Sequence, residues 1–312
     1  MIKRTVYFGN PAYLNLCDDQ LIVRLPEVEK NESLTEKFKK EAVASIPIED
    51  LGIIVLDHPR ITITQGLIEK LLDNNVAVIS CDKQHLPTGL LLPLCGNTLQ
   101  SERFKDQINA SEPLKKNIWQ QTIEAKIINQ ATVLKKRGYP SENMNYWADN
   151  VKSGDTGNHE ARAAAHYWGN IFQESHPSFT RDRDGAPPNN LLNYGYSILR
   201  GVVARSLVSS GLLPTLGVHH HNKYNAYCLA DDIMEPYRPY VDEVVLKIIK
   251  SKSDYKDLTK EIKAELLTIP VLDVIIEGNK SPLMIGVQKT TTSLVRCFNG
   301  EQRKVLYPVL ED

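Results

Sequence analysis

No stretch of this 312-residue chain approaches the roughly 20 apolar residues that a membrane span requires. The opening MIKRTVYFGN has no apolar run of the kind a secretory signal carries, so a cytoplasmic protein with no membrane contact is expected. Cysteine is scarce: Cys17, Cys81, Cys95, Cys228 and Cys297 are odd in number and scattered, with no Cys-x-x-Cys pair. That pattern excludes a disulfide framework and a thiolate zinc site. Net charge is almost absent, at −1 with a pI near 6.7, which excludes a uniform basic coat for nucleic acid. Basic residues cluster locally instead. Lys115, Lys116, Lys126, Lys135, Lys136 and Arg137 fall along one predicted helix, and Arg181, Arg183, Arg200, Arg205 and Arg238 surround the richest motif of the chain. Lys135, Lys136 and Arg137 precede Gly138, where basic charge complements the end of a helix.

What is present reads as an α+β protein: a small β-rich N-terminal domain over residues 1–95 followed by a larger, mainly α-helical domain over 96–312. Short β-rich runs separated by turn residues fill the first part. Residues 13–17 and 20–25 flank Asp18-Asp19 as a hairpin, and 51–56, 60–64 and 76–81 read as strands, with a short helix over 65–73. Residues 27–44, rich in Glu and Lys, read as a solvated insertion or short helix. Pro87, Pro93 and Gly96 mark the boundary. Beyond it the period changes from 2 to 3.6, with helices expected over 112–137, 160–174, 190–209, 239–251 and 256–266.

The segment GVHHHNKYNAYCLADDIMEPYRP at 217–239 sets three imidazoles ahead of an Asp-x-x-Glu pair. Imidazole with carboxylate suggests a divalent metal. Asp232 and Glu235, three apart, share a helix face, and a strand or loop carrying His220 can pack back against that helix. The same residues also read as a helix start, Asp232 as N-cap and Glu235 reaching back in a capping box, although Pro236 fits that arrangement poorly. A second segment, GDTGNHEARAAAHYWGNIF at 154–172, is an amphipathic helix with Glu160 at its N-terminal end, either as a favourable first-turn charge or as a third ligand. Two carboxylates and one imidazole suit Mg2+ or Mn2+, the imidazole tilting the set towards Mn2+.

Taken together, Glu160 opening E-x-x-x-A-x-x-Y-W, NNLLNYGYSILRG at 189–201 and the His segment resemble the CRISPR-associated integrase of the spacer-acquisition complex, particularly its type II version. SIPIEDLGIIVLDHPRITIT at 45–64 and AVISCDKQHLPTGLLLPL at 77–94 resemble that family's N-terminal domain. The resemblance implies a metal-dependent DNA endonuclease and integrase, in which a DNA 3′-hydroxyl attacks a phosphodiester to insert short foreign fragments into a CRISPR array. It implies Glu160, His220 and Glu235 as metal ligands, and Asp232 as an accessory ligand or a group supporting one. His219 matches a histidine often seen in the type II version, and His221 has no expected chemistry. Asn189, Asn193, Tyr194 and Tyr196 line the site or pack its supporting helix, and Arg238 binds a DNA phosphate or pairs with Asp242 at i, i+4. The expected partners are duplex DNA, a second copy of the chain and a small ferredoxin-like subunit, with the β-rich domain docking or dimerising. A metal-dependent phosphoesterase of small substrates and a non-catalytic DNA-binding assembly subunit remain the alternatives.

Overall fold

Strand β1 (Arg4–Phe8) is followed by β2 (Ala12–Cys17) and β3 (Gln20–Arg24), which pair antiparallel with Cys17 opposite Gln20. The two residues between them, Asp18 and Asp19, have φ of 47° and 58°, the left-handed pair that a tight hairpin turn needs. In the computed structural model, which describes residues 2–252 and 254–311, the chain forms two units, Met1–Gly96 and Asn97–Asp312.

Two short helices, α1 (Pro26–Glu29) and α2 (Glu36–Glu41), occupy the Glu/Lys-rich stretch before β4 (Ala44–Pro47). Strand β5 (Leu51–Leu56), β6 (Ile61–Ile63), α3 (Gln65–Asp73), β7 (Ala77–Cys81) and β8 (Pro87–Leu91) complete the first unit. One sheet has the order β1-β5-β7-β8 and the other β4-β3-β2-β6. The run LGIIVL of β5 is continuously apolar because the strand lies between parallel β1 and β7 and is buried along nearly its whole length. Leu14 and Leu21 of the hairpin, Leu51 and Ile54 of β5, and Leu67 and Leu71 of α3 share one core.

The second unit begins with α4 (Gln100–Asn109) and the 25-residue α5 (Glu112–Lys136). Ser111 caps α5 by accepting from the Leu114 N–H at 3.4 Å, and Gly138, at φ 76°, ends it in the left-handed conformation glycine tolerates. There follow α6 (Glu142–Asp149), α7 (His159–Ile171), α8 (Asn189–Ser209), α9 (Cys228–Met234), α10 (Arg238–Ser251) and α11 (Lys260–Leu266). The hairpin β9 (Asp273–Ile276) and β10 (Asn279–Pro282) leads into α12 (Leu283–Phe298). Helix α8 is the hub, packed by α9, α10, α11 and α12. Helix α5 packs against α6, α7, α9, α10 and the 3-10 turn Glu235–Tyr237, and so joins the two stretches that carry Glu160 and Glu235. Among the described residues no helix is long and apolar enough to cross a membrane.

Candidate functional site

Helix α5 presents Trp119, Thr122, Lys126 and Asn129 along one buried stripe, at the spacing of a single helix face. Trp119, Lys126 and Asn129 each hold a different part of the site. Asn129 is fully buried; its Nδ2 donates to the carbonyls of Pro236 at 2.8 Å and Pro308 at 3.0 Å, while its Oδ1 accepts from the Leu310 N–H at 2.9 Å. The 3-10 turn that carries Glu235 is thereby tied to α5. Pro236 lies inside that turn.

Lys126 is 8% exposed. Its ammonium lies 2.7 Å from Glu160 Oε1 and 2.7 Å from Glu235 Oε2, so the two carboxylates predicted from separate segments meet on one buried cation. Arg238 Nη2 holds the other oxygen of Glu235, Oε1, at 3.0 Å. The Arg238 guanidinium also lies over the Tyr196 ring, 4.9 Å from its centroid. Arg238 therefore pairs with Glu235 rather than with Asp242, whose carboxylate accepts instead from the hydroxyls of Tyr167 at 2.8 Å and Tyr196 at 2.5 Å. Burial opposes ionisation of Glu235, but Arg238 and then Lys126 outweigh it and hold its pKa below the usual carboxylate range. Burial likewise opposes the charge on Lys126, and Glu235 and Glu160 overcome it. Asp242 has tyrosine donors but less countercharge; burial dominates and pushes it up to about 6.

Glu160 stands in the first turn of α7. The Asp155 carboxylate caps that helix, accepting from the N–H groups of His159 at 2.9 Å and Glu160 at 3.0 Å. Glu160 is thus released from capping and turned to Lys126.

Asp232 does not start a helix. It sits inside α9, wholly buried, and its carboxylate gathers the histidine loop. Oδ2 accepts from the N–H groups of Val218 at 2.7 Å and His219 at 3.0 Å, and Oδ1 from the His220 N–H at 3.3 Å. Oδ1 also meets His220 Nδ1 at 2.5 Å. Gly217 is required for this approach, because a Cβ there would fall 2.4 Å from the His220 carbonyl and 2.8 Å from Asp232 Oδ2. The hydrogen bond to Asp232 raises the pKa of His220 against the effect of burial. It also fixes the ring and leaves Nε2 without a hydrogen bond among the described residues. Glu235 and Glu160 lie near enough to bias the same imidazole electrostatically.

Trp119, which sequence reasoning overlooked, is fully buried and stacks flat on His219 at 4.0 Å between centroids, with its edge relation to His220 at 5.5 Å. Burial, then the neighbouring His220, lowers the pKa of His219, so this ring is a neutral packing surface at physiological pH. His221 lines an open groove of about 370 Å³ beside His220, together with Lys115, Asn222, Lys223 and Asn225. Asn189 and Asn193 are held by Arg181 at 2.9 and 2.8 Å, and Tyr194 and Tyr196 are buried in α8. Arg200 pairs with Asp231 at 2.6 Å.

Among the described residues no three His, Cys, Asp or Glu side chains are grouped as a metal ion would need; the Lys126 ammonium lies between the two glutamates instead. The donors nevertheless fit a divalent cation. Glu160 and Glu235 already clasp a positive charge, each with one oxygen 2.7 Å from the Lys126 ammonium. An imidazole whose second nitrogen is bound to a carboxylate is the usual form of a metal-ligating histidine.

A family profile described as CRISPR associated protein Cas1 matches residues 27–277. A CRISPR-associated endonuclease Cas1 from Neisseria meningitidis serogroup C (strain 8013) is 35% identical over 308 residues, covering 98% of this chain and 95% of its own. Among solved structures, a casposase bound to integration product superposes with a TM-score of 0.77 at 20% identity, over 98% of this chain and 92% of that one. The chain in a Cas6-RT-Cas1–Cas2 complex gives 0.75 at 20% identity, over 99% of this chain and 36% of that one.

Proposed function

The chain belongs to the CRISPR-associated Cas1 family, and from that premise we propose that it is a metal-dependent DNA endonuclease and integrase that inserts short foreign fragments into a CRISPR array. The observation that carries the reading is the meeting of Glu160 and Glu235, from α7 and from the turn after α9, on one buried cation, near an imidazole whose Nε2 takes no hydrogen bond among the described residues. A neighbour of the same fold holds an integration product, and a relative similar over nearly the whole chain is an endonuclease.

Glu160 Oε1, Glu235 Oε2 and His220 Nε2 are the atoms that would hold a Mg2+ or Mn2+ ion. When bound, such an ion lowers the pKa of an attacking hydroxyl, shields phosphoryl charge and stabilises the leaving oxyanion. Asp232 fixes the His220 ring and its tautomer and does not ligate, since its oxygens are taken by three N–H groups and Nδ1. Arg238 keeps Glu235 ionised. The open groove with Lys115 and Lys223 offers cations to a phosphate backbone, and nucleic-acid affinity from such local patches falls with salt as counterions are released. Water in place of a 3′-hydroxyl gives hydrolysis at the same site.

A neutral subunit gains basic surface by assembly. The expected assembly is a homodimer that joins a small ferredoxin-like partner, with the N-terminal unit in docking, in a cytoplasmic complex; a structural neighbour occurs in a complex with Cas2. Nuclease and strand-transfer assays on branched duplex DNA, with and without Mn2+, test the reading. Mn2+-dependent joining supports it. Hydrolysis confined to small phosphoesters, or DNA binding with no chemistry, would replace it with one of the two alternatives.

A further inference from the structure

Lysine is rarely buried unless paired, and the partners of Lys126 are both of the glutamates assigned above to the divalent ion. The inference rests on that assignment. Lys126 does not lie at a flexible surface: it sits in the middle of α5, two turns beyond Trp119, with its ammonium at equal distances of 2.7 Å from Glu160 and Glu235. Arg238 holds the remaining oxygen of Glu235. Two carboxylates are therefore balanced by two fixed cations without any metal.

The same arrangement sets a conflict. Oxygens drawn 2.7 Å from an ammonium are the oxygens that a divalent ion would take, and the two cations repel. We propose that Lys126 is a built-in counter-cation: it holds Glu160 and Glu235 aligned on one point in the metal-free protein, and it competes with the divalent ion for their oxygens. Alignment is gained at the expense of metal affinity. By reciprocity, bound metal weakens the hold of Lys126 to the same degree that Lys126 weakens the metal. Lys126 is thus a positioning residue whose removal tightens metal binding, the opposite of what loss of a merely structural side chain does.

The test is Mn2+ binding by calorimetry and by electron paramagnetic resonance, with melting temperature followed on the same full-length preparations. Lys126→Met keeps the buried stem and removes the charge. It is expected to melt below the wild type without metal, to bind Mn2+ about tenfold more tightly, and to gain more on Mn2+ addition than the wild type does. Lys126→Arg, which keeps the charge, is expected to stay near wild-type affinity. If Lys126→Met fails to fold, Lys126→Gln carries the same expectation of tighter binding. Glu160-dependent Mn2+ binding that is unchanged or weaker in the folded, uncharged variant overturns the role of Lys126 alone. Absence of Mn2+ binding from the wild type, or binding that survives Glu160→Gln, overturns the metal assignment and this inference with it.

Discussion

Removing the Asp232 carboxylate tests whether the histidine loop is held as the geometry indicates. In Asp232→Ala three N–H groups and one imidazole nitrogen lose their acceptor at once. Val218 is only 6% exposed, so its N–H has no route to water, and an unsatisfied buried donor costs about 1–3 kcal/mol. His219 and His220 lie at the surface, where their N–H groups rehydrate and the loss is about 0.5–1.5 kcal/mol each. Against this stands relief from burying a charge. The net expectation is a loss of about 2–4 kcal/mol, read from urea unfolding. Hydrogen exchange should speed selectively at residues 218–220, and the ring of His220 should lose its fixed orientation. Stability within about 0.5 kcal/mol of wild type, together with unchanged protection of these amides, would refute the account of Asp232 as the anchor.

Glu235→Ala leaves Lys126 and Arg238 without their shared carboxylate in a buried site, and should destabilise by about 3–5 kcal/mol in denaturant unfolding; a surface-like loss below about 1 kcal/mol would contradict the pairing. His220→Ala, whose side chain is 44% exposed, should melt close to the wild type while losing activity, a separation measured by calorimetry beside a cleavage assay. Asp242 titrates near 6 when folded against 3.8 as its ordinary value. The folded state therefore holds the proton more tightly, so the Asp242 contribution is most favourable below pH 4 and declines as the pH rises to 6 and above. The stability of wild type relative to Asp242→Asn should fall by about 2 kcal/mol between pH 4 and pH 7, and a flat difference would show that Asp242 is not perturbed.

Much of the N-terminal unit is legible because alternation and turn chemistry agree there. The Asp18-Asp19 hairpin, β5, β6, α3 and β7 lie within a residue or two of where pattern alone puts them. The stretch after Pro270 was not legible. Glu277 and Gly278, both at positive φ, make a two-residue turn between β9 and β10, a weaker signal than Asn-Gly. Helix α12 contains Thr290, Thr291 and Thr292, a β-branched run whose poor propensity is overridden by burial against α8. At the site, the glutamates, the histidines and Asp232 are all conspicuous as residues. Their division of labour is not, because it depends on which side chain faces which. Asp232 looks like a cap and instead gathers a loop. Lys126 looks like one more solvated lysine of α5, yet its place on the stripe of Trp119, Ile123 and Ile127 was the available sign that it points inward. Nothing local predicts that Trp119 stacks on His219, since that contact spans the fold.

The most direct measurement is strand transfer with a labelled duplex fragment bearing a 3′-hydroxyl, supplied with target DNA, Mn2+ and the small partner subunit, using wild type, Glu160→Gln, His220→Ala and a fragment lacking the 3′-hydroxyl. The account predicts a joined product only for the wild type with the intact 3′-hydroxyl, with Glu160→Gln and His220→Ala still folded. Joining by either folded variant at the wild-type rate would contradict the assignment of the reaction to Glu160, Glu235 and His220.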